Sequence, residues 1–301
     1  MRKFRSDKLR GRLSKLVVLC FLICNAAVSS AADDGYFQSY EFKGIPKVVL
    51  KNIDVRVYIK PAKEDEFTVK TTGGKLADLV KISYDSDGLK ISGKETNGQN
   101  RIIVSSTGTT VISGNFGSNG TVIINGRVIN NSQELQNDPA EASVTVAVPG
   151  RGRLVIDNSC NLSVTADIDS VSLICNSAGR AAFERIKTLS GALSGAVRVT
   201  ATEVRQITLK LSGASSFKAM NVEGGELKAV LSDSSTIDAS GSFDSVEIES
   251  ADASRALISG EVKRALALKA QSAASIVFKG KVRGVVNKSA IGAATVEIIS
   301  D

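Results

Sequence analysis

One spacing recurs eight times in the second half of this chain. A small residue is followed by apolar residues three and five positions later and preceded by apolar residues at about five and three positions earlier. The small residues are Ser159, Ala178, Ala196, Ala214, Ser234, Ala253, Ala273 and Ala293, at intervals of 19, 18, 18, 20, 19, 20 and 20. A period near 19 is the mark of a solenoid, in which no unit buries its own apolar face and each depends on its neighbours. Downstream of the anchors the rule has no exception: from Leu162 and Val164 to Val296 and Ile298, all sixteen positions are apolar. Upstream it is looser, as in Leu209 with Leu211, Leu227 with Leu231, and Leu266 with Leu268.

A separation of two between apolar positions is the period of a strand, which disfavours helix. The predicted fold is therefore all-β: a single-stranded parallel β-helix, a solenoid of right-handed coils with about 19 residues each. Short strands are expected, with one corner at each anchor and another on the far side. There Ile168, Ile186, Val204, Val222, Phe243, Val262 and Val282 supply a further inward residue. Eight coils stacked ~4.8 Å apart make a rod on the order of 40 Å long.

Four segments organise the chain. Residues 1–31 have the form of a secretory signal, with Arg2, Lys3, Arg5, Lys8, Arg10, Arg12 and Lys15 ahead of an apolar run from Leu16 to Val28. That run is short for a bilayer span, and Ser29-Ser30-Ala31 suits cleavage between Ala31 and Ala32. Cys20 and Cys24 follow Leu19 and Ile23 rather than a small residue, which argues against lipoprotein anchoring. Residues 32–93 read as an N-terminal β region, the first coils or a cap, and residues 143–301 as the β-helix repeats. Between them, residues 94–142 are rich in Gly, Ser and Asn. Val122 to Ile129, centred on Asn125-Gly126, carries a hairpin signal. This stretch reads as an insertion, either a functional loop or a tolerated surface excursion.

The charge belongs to the leader. Its removal takes seven of the 38 bases and one of the 31 acids, leaving 31 against 30. A nucleic-acid partner, which needs clustered positive charge and stacking aromatics, is not supported. Two cysteines remain, Cys160 and Cys175, four residues out of alignment in the anchored register. They are either two buried thiols or a disulfide made by a corner that folds them together.

Small polar residues just before the anchors, among them Asn158, Ser194-Gly195, Ser212-Gly213, Asp233, Asp252 and Ser272, form a second ladder. They suit tight corners, while a row of groups for glycan or calcium is the sharper alternative. The chain has no histidine, which removes His-based triads and most zinc sites. Catalysis would have to rest on carboxylates such as Asp233, Asp238, Asp252, Glu247 and Glu249. No catalytic residue, metal site or cofactor is assigned.

Leu193-Ser194-Gly195-Ala196 and Leu211-Ser212-Gly213-Ala214, with apolar alternation on both sides, resemble the bacterial family named putative auto-transporter adhesin, head GIN domain. Ile53 to Ile59 with Phe67-Thr68-Val69, Asp87 to Ile91, and Val144 to Pro149 are similar to its opening strands, early turn and valine-rich strand. The resemblance covers most of residues 40–300. It implies an exported β-helical protein of the cell envelope, periplasmic or at the surface, with no catalytic residues to carry over. No translocating barrel is evident here, and the Ser-Gly-Ser-Gly corners of the family are altered. The expected function is a non-enzymatic binding, adhesion-like or structural module whose partner is an envelope protein or a glycan. The alternative is a polysaccharide-binding or polysaccharide-cleaving protein using surface carboxylates. The C-terminal coil, Val296 to Ile299, is expected to offer an edge for self-association.

Overall fold

In the computed structural model the two-residue alternation of the repeats is strand throughout. The structure describes residues 37–41, 46–62, 66–72, 80–85, 88–93, 101–103, 121–124, 127–128 and 143–300. The leader and its Ala31–Ala32 site lie outside these residues. The chain begins with β1 (Phe37–Glu41), β2 (Lys47–Lys51), β3 (Arg56–Pro61), β4 (Glu66–Thr72), β5 (Val80–Asp85) and β6 (Gly88–Gly93). Next come β7 (Arg101–Ile103), β8 (Thr121–Ile124) and β9 (Arg127–Val128), which form a small sheet of their own. In it β8 and β9 pair antiparallel, Ile123 with Val128 and Ile124 with Arg127.

The body follows: β10 (Ser143–Val148), β11 (Gly152–Asp157), β12 (Asn161–Val164), β13 (Ile168–Cys175), β14 (Gly179–Leu193), β15 (Val197–Leu211), β16 (Ser216–Leu231), β17 (Thr236–Ser250), β18 (Arg255–Ser272), β19 (Ser275–Val282), β20 (Val285–Gly292) and β21 (Thr295–Ile299). From β11 onward, strands of neighbouring coils pair in parallel, most residues facing their equivalents one coil away. The result is a β-solenoid of about seven turns with roughly 20 residues per turn. Eight anchors delimit seven intervals.

The apolar positions predicted after each anchor become continuous columns. Leu162, Ala181, Val199, Phe217, Ile237 and Ala256 stand in register on one face, and all are buried. Two residues on, Val164, Phe183, Ala201, Ala219, Ala239 and Ile258 form the neighbouring column. Within a coil, size is compensated: Ala181 accompanies Phe183, Phe217 accompanies Ala219, and Ile237 accompanies Ala239. In these coils large and small side chains thus stand together across the two columns, as close packing favours. Each buried large side chain contributes about 1.5–3 kcal/mol relative to exposure.

The far-side bend departs from the short strands expected. β14 to β18 run 15 to 18 residues without a break, passing through the bend as strand. Bulges absorb the turn, with register shifts between Val204 and Ile207 and between Phe243 and Ser245. A bulge bends a strand without ending its ladder. In the later coils a glycine column helps. Gly241, Gly260 and Gly280 stack in register with φ of 142°, 127° and 133°. A Cβ on Gly260 would stand 1.8 Å from the Gly241 carbonyl oxygen.

The N-terminal region is both coil and cap. β2 and β3 form a coil of the solenoid, with Val48 and Leu50 in register with Leu154 and Ile156, and Val57 and Ile59 with Leu162 and Val164. Asn52, at φ 51°, makes its corner. β6 and β10 make another, stacked outside the first through Leu89 on Val48 and Val144 on Val57. Gly93 at the end of β6 and Ser143 at the start of β10 stand at the corner position of that outer coil. Beyond it the pairing turns antiparallel, β4 on β10 and β5 on β6, with β1 on β4. Phe67 of β4, fully buried, meets Tyr84 of β5 with ring centroids 6.0 Å apart.

Candidate binding surface

The corner ladder is built from left-handed backbone. Asn158, Gly195, Gly213, Asp233, Asp252, Ser272 and Gly292 all have φ between 52° and 78°. Glycine, Asn and Asp tolerate this region best, which explains the composition before each anchor. The anchors from Ala178 onward are the exposed tips of these corners, and the following residue turns inward. At three coils that inward residue is a buried serine. The hydroxyls of Ser215 and Ser235 donate to the Leu193 and Leu211 carbonyls at 3.3 and 3.2 Å, and that of Ser254 to Ala251 at 2.6 Å. These serines recur at spacings of 20 and 19, one position after the anchors.

The carboxylates considered for catalysis are separated and engaged. Asp233 accepts the Gly213 N–H at 2.9 Å, and Asp252 accepts the Asp233 N–H at 3.5 Å, so the corner acids tie one coil to the next. Asp238 pairs with Lys218 at 3.4 Å on the first face, while Glu247 pairs with Lys228 at 2.8 Å on the second. Its hydrogen bond to Glu247 raises the pKa of Lys228 above lysine's ordinary 10.5. Glu249 lies in register with Lys269. Among the described residues no group of three metal-ligating side chains converges.

Cys160 and Cys175 are joined as a disulfide, with their Cα atoms 5.9 Å apart. The corner after β11 turns Cys160 toward the end of β13, which overcomes the four-residue offset. Both residues are buried.

Charged residues in register on neighbouring coils are mostly of opposite sign. Arg185 faces Glu203, Lys218 faces Asp238, Lys228 faces Glu247 and Glu261 faces Lys281. A depression of about 290 Å³ along the far bend follows this rule, since Arg185 hydrogen-bonds Asp167 there beside Glu203. Between β12 and β21, Arg180 against Arg198 breaks it. A similar rung, Lys47 against Arg153, lies on the other face. Like charges directly opposite destabilise a sheet.

Arg180 and Arg198 line a shallow groove of about 350 Å³ on the first face, with Arg56, Tyr58, Asn161 and Thr200. Arg56 donates to the Tyr58 hydroxyl at 3.4 Å, which raises its pKa, and Lys60 lies 5.8 Å from the Tyr58 ring centre. The Asn161 Oδ1 accepts the Arg180 N–H at 3.3 Å. Among the described residues, none of the three arginines has an ion pair. Sequence reasoning missed this groove. Arg180 and Arg198 stand two residues after successive anchors, but Arg56 reaches the row only because β3 stacks on β12.

The described residues define the class of molecule as a mostly parallel β-solenoid. The solved structures it is similar to share that architecture. A putative adhesin from Parabacteroides distasonis superposes with a TM-score of 0.56 at 12% identity, covering 90% of this chain and 98% of its own. A putative adhesin from Parabacteroides merdae gives 0.52 at 11% identity, with the same coverage. At such identities the likeness establishes a common fold. No family model matches the chain, and no curated protein matches it in sequence.

Proposed function

We propose that this protein is an exported, non-enzymatic binding module of the bacterial cell envelope, adhesin-like and of the head GIN domain kind. In this reading the leader directs export and is removed between Ala31 and Ala32. The mature chain then works in the periplasm or at the cell surface without a lipid anchor, engaging an envelope protein or a glycan. One observation carries the reading: Asp233, Asp238, Asp252, Glu247 and Glu249 are dispersed over two faces and the corners, each facing a lysine or a backbone amide, while the groove on the first face is lined by three arginines that have no ion pair among the described residues. The fold shared with putative adhesins supports it.

Incubating the mature protein with a panel of polysaccharides tests it against the polysaccharide-cleaving alternative. Retention of intact glycan, or of whole cells, is the expected result. Release of shortened products would overturn it. Protease accessibility on intact cells then distinguishes surface from periplasm, and N-terminal sequencing of the secreted chain is expected to begin at Ala32.

A further inference from the structure

We infer that the arginine row of the first face is a binding site for an acidic polysaccharide lying along the stacking axis. The inference deepens the binding-module reading and rests on it. Arg56, Asn161, Arg180 and Arg198 occupy equivalent positions on four adjacent strands, β3, β12, β14 and β15. The row therefore spans three strand spacings, about 14 Å. Arginine has five N–H donors and no acceptor. Asn161 joins them as a donor, because its oxygen is engaged by the Arg180 amide and its NH₂ remains.

A row of donors alone calls for a ligand of acceptors, and guanidinium matches a carboxylate or sulfate by two parallel hydrogen bonds. The solenoid elsewhere mostly sets opposite charges side by side, as at Lys218 and Asp238 on this face, so Arg180 beside Arg198 is a local departure that a bound polyanion relieves. The geometry favours a polymer over a single small ion. Arg56 stands two strand spacings, about 10 Å, from Arg180, and Arg198 one spacing beyond, so one small anion would reach only the Arg180–Arg198 pair while a chain of anionic groups reaches the whole row. The Tyr58 ring, with Thr200 opposite, supplies the apolar and hydroxyl contacts that a sugar carries between its charges.

Isothermal titration of the mature protein with oligogalacturonate, dextran sulfate, neutral dextran and a single-stranded DNA oligomer tests this. Binding of one or both acidic glycans and none of neutral dextran is expected, and the two acidic arms distinguish carboxylate from sulfate. The double variant Arg180→Ser/Arg198→Ser should lose about tenfold or more in affinity. Its thermal midpoint should hold or rise, since a like-charge rung is removed. Arg255→Ser/Lys279→Ser removes the same charge lower on the same face and should bind like the parent. Equal loss in both variants, equal binding of DNA, or acidic-glycan affinity unchanged in the first variant would overturn the site while leaving the binding-module reading intact. Glycan cleavage would overturn that reading instead.

Discussion

The two ends of this solenoid are finished differently. At the N-terminal end the parallel ladder meets antiparallel strands: β4 pairs with β10, β5 with β6, and Phe67 packs on Tyr84 across the opening. At the other end, among the described residues, β20 and β21 pair only with β18 and β19, and every residue of β20 is exposed. There Lys288 takes the inward register position below Leu268, where the preceding coils place Ile248 and Leu268. Parallel coils propagate, because each presents the template for the next, so an end needs a device. One end reverses its strands and covers its core; the other puts a charge where the next coil would need an apolar side chain.

This contrast can be broken experimentally. Phe67→Ala at the closed end should cost about 3–5 kcal/mol. Ile298→Ala, partly buried at the open end, should cost under about 1.5 kcal/mol, a difference readable by denaturant titration. Removing the Cys160–Cys175 bridge, which closes a separation of 15 residues beside the N-terminal coils, should cost about 3 kcal/mol and lower the melting temperature under reductant. In the body, Gly260→Ala forces a Cβ onto the Gly241 carbonyl and should cost about 1–3 kcal/mol, checked by the same titration.

Self-association through the C-terminal coil, expected from its edge strand, has to overcome Lys288. Light scattering should therefore give weak association in the parent and stronger association in Lys288→Leu; a Lys288→Leu protein that stays monomeric would remove the charge from this account. The smallest effect concerns Lys228. Its raised pKa means that its contribution is fully present below lysine's ordinary value and is lost as pH rises through the higher folded value, so the Lys228 contribution should be flat across neutral pH and decline only above about 10.5. Lys228→Ala should abolish that alkaline component alone, a small change because both partners are exposed.

The same contrast explains what was legible in the sequence. In the body, chain order and stacking order coincide, so a one-dimensional period maps onto space: Val199, Phe217 and Ile237 are 18 and 20 residues apart and stand in one column. At the closed end they diverge. β10 lies against β3 although residues 62–142 intervene, and β2 sits between β6 and β11, so no period connects Leu89, Val48 and Leu154. Antiparallel strands also carry the same alternation as parallel ones, which left residues 32–93 readable as β but not as coil or cap. The candidate groove inherits both cases. Arg180 and Arg198 follow the period, while Arg56 and Tyr58 come from a strand placed by the cap.

Residue-resolved hydrogen exchange of the mature protein tests the central claim most directly. The contrast between the antiparallel N-terminal end and the exposed β20 and β21 predicts that β3, β10 and β4 are protected as strongly as β15 to β17, with β20 and β21 exchanging first. Equal fraying at both ends, or protection of β20 matching that of β16, would contradict it.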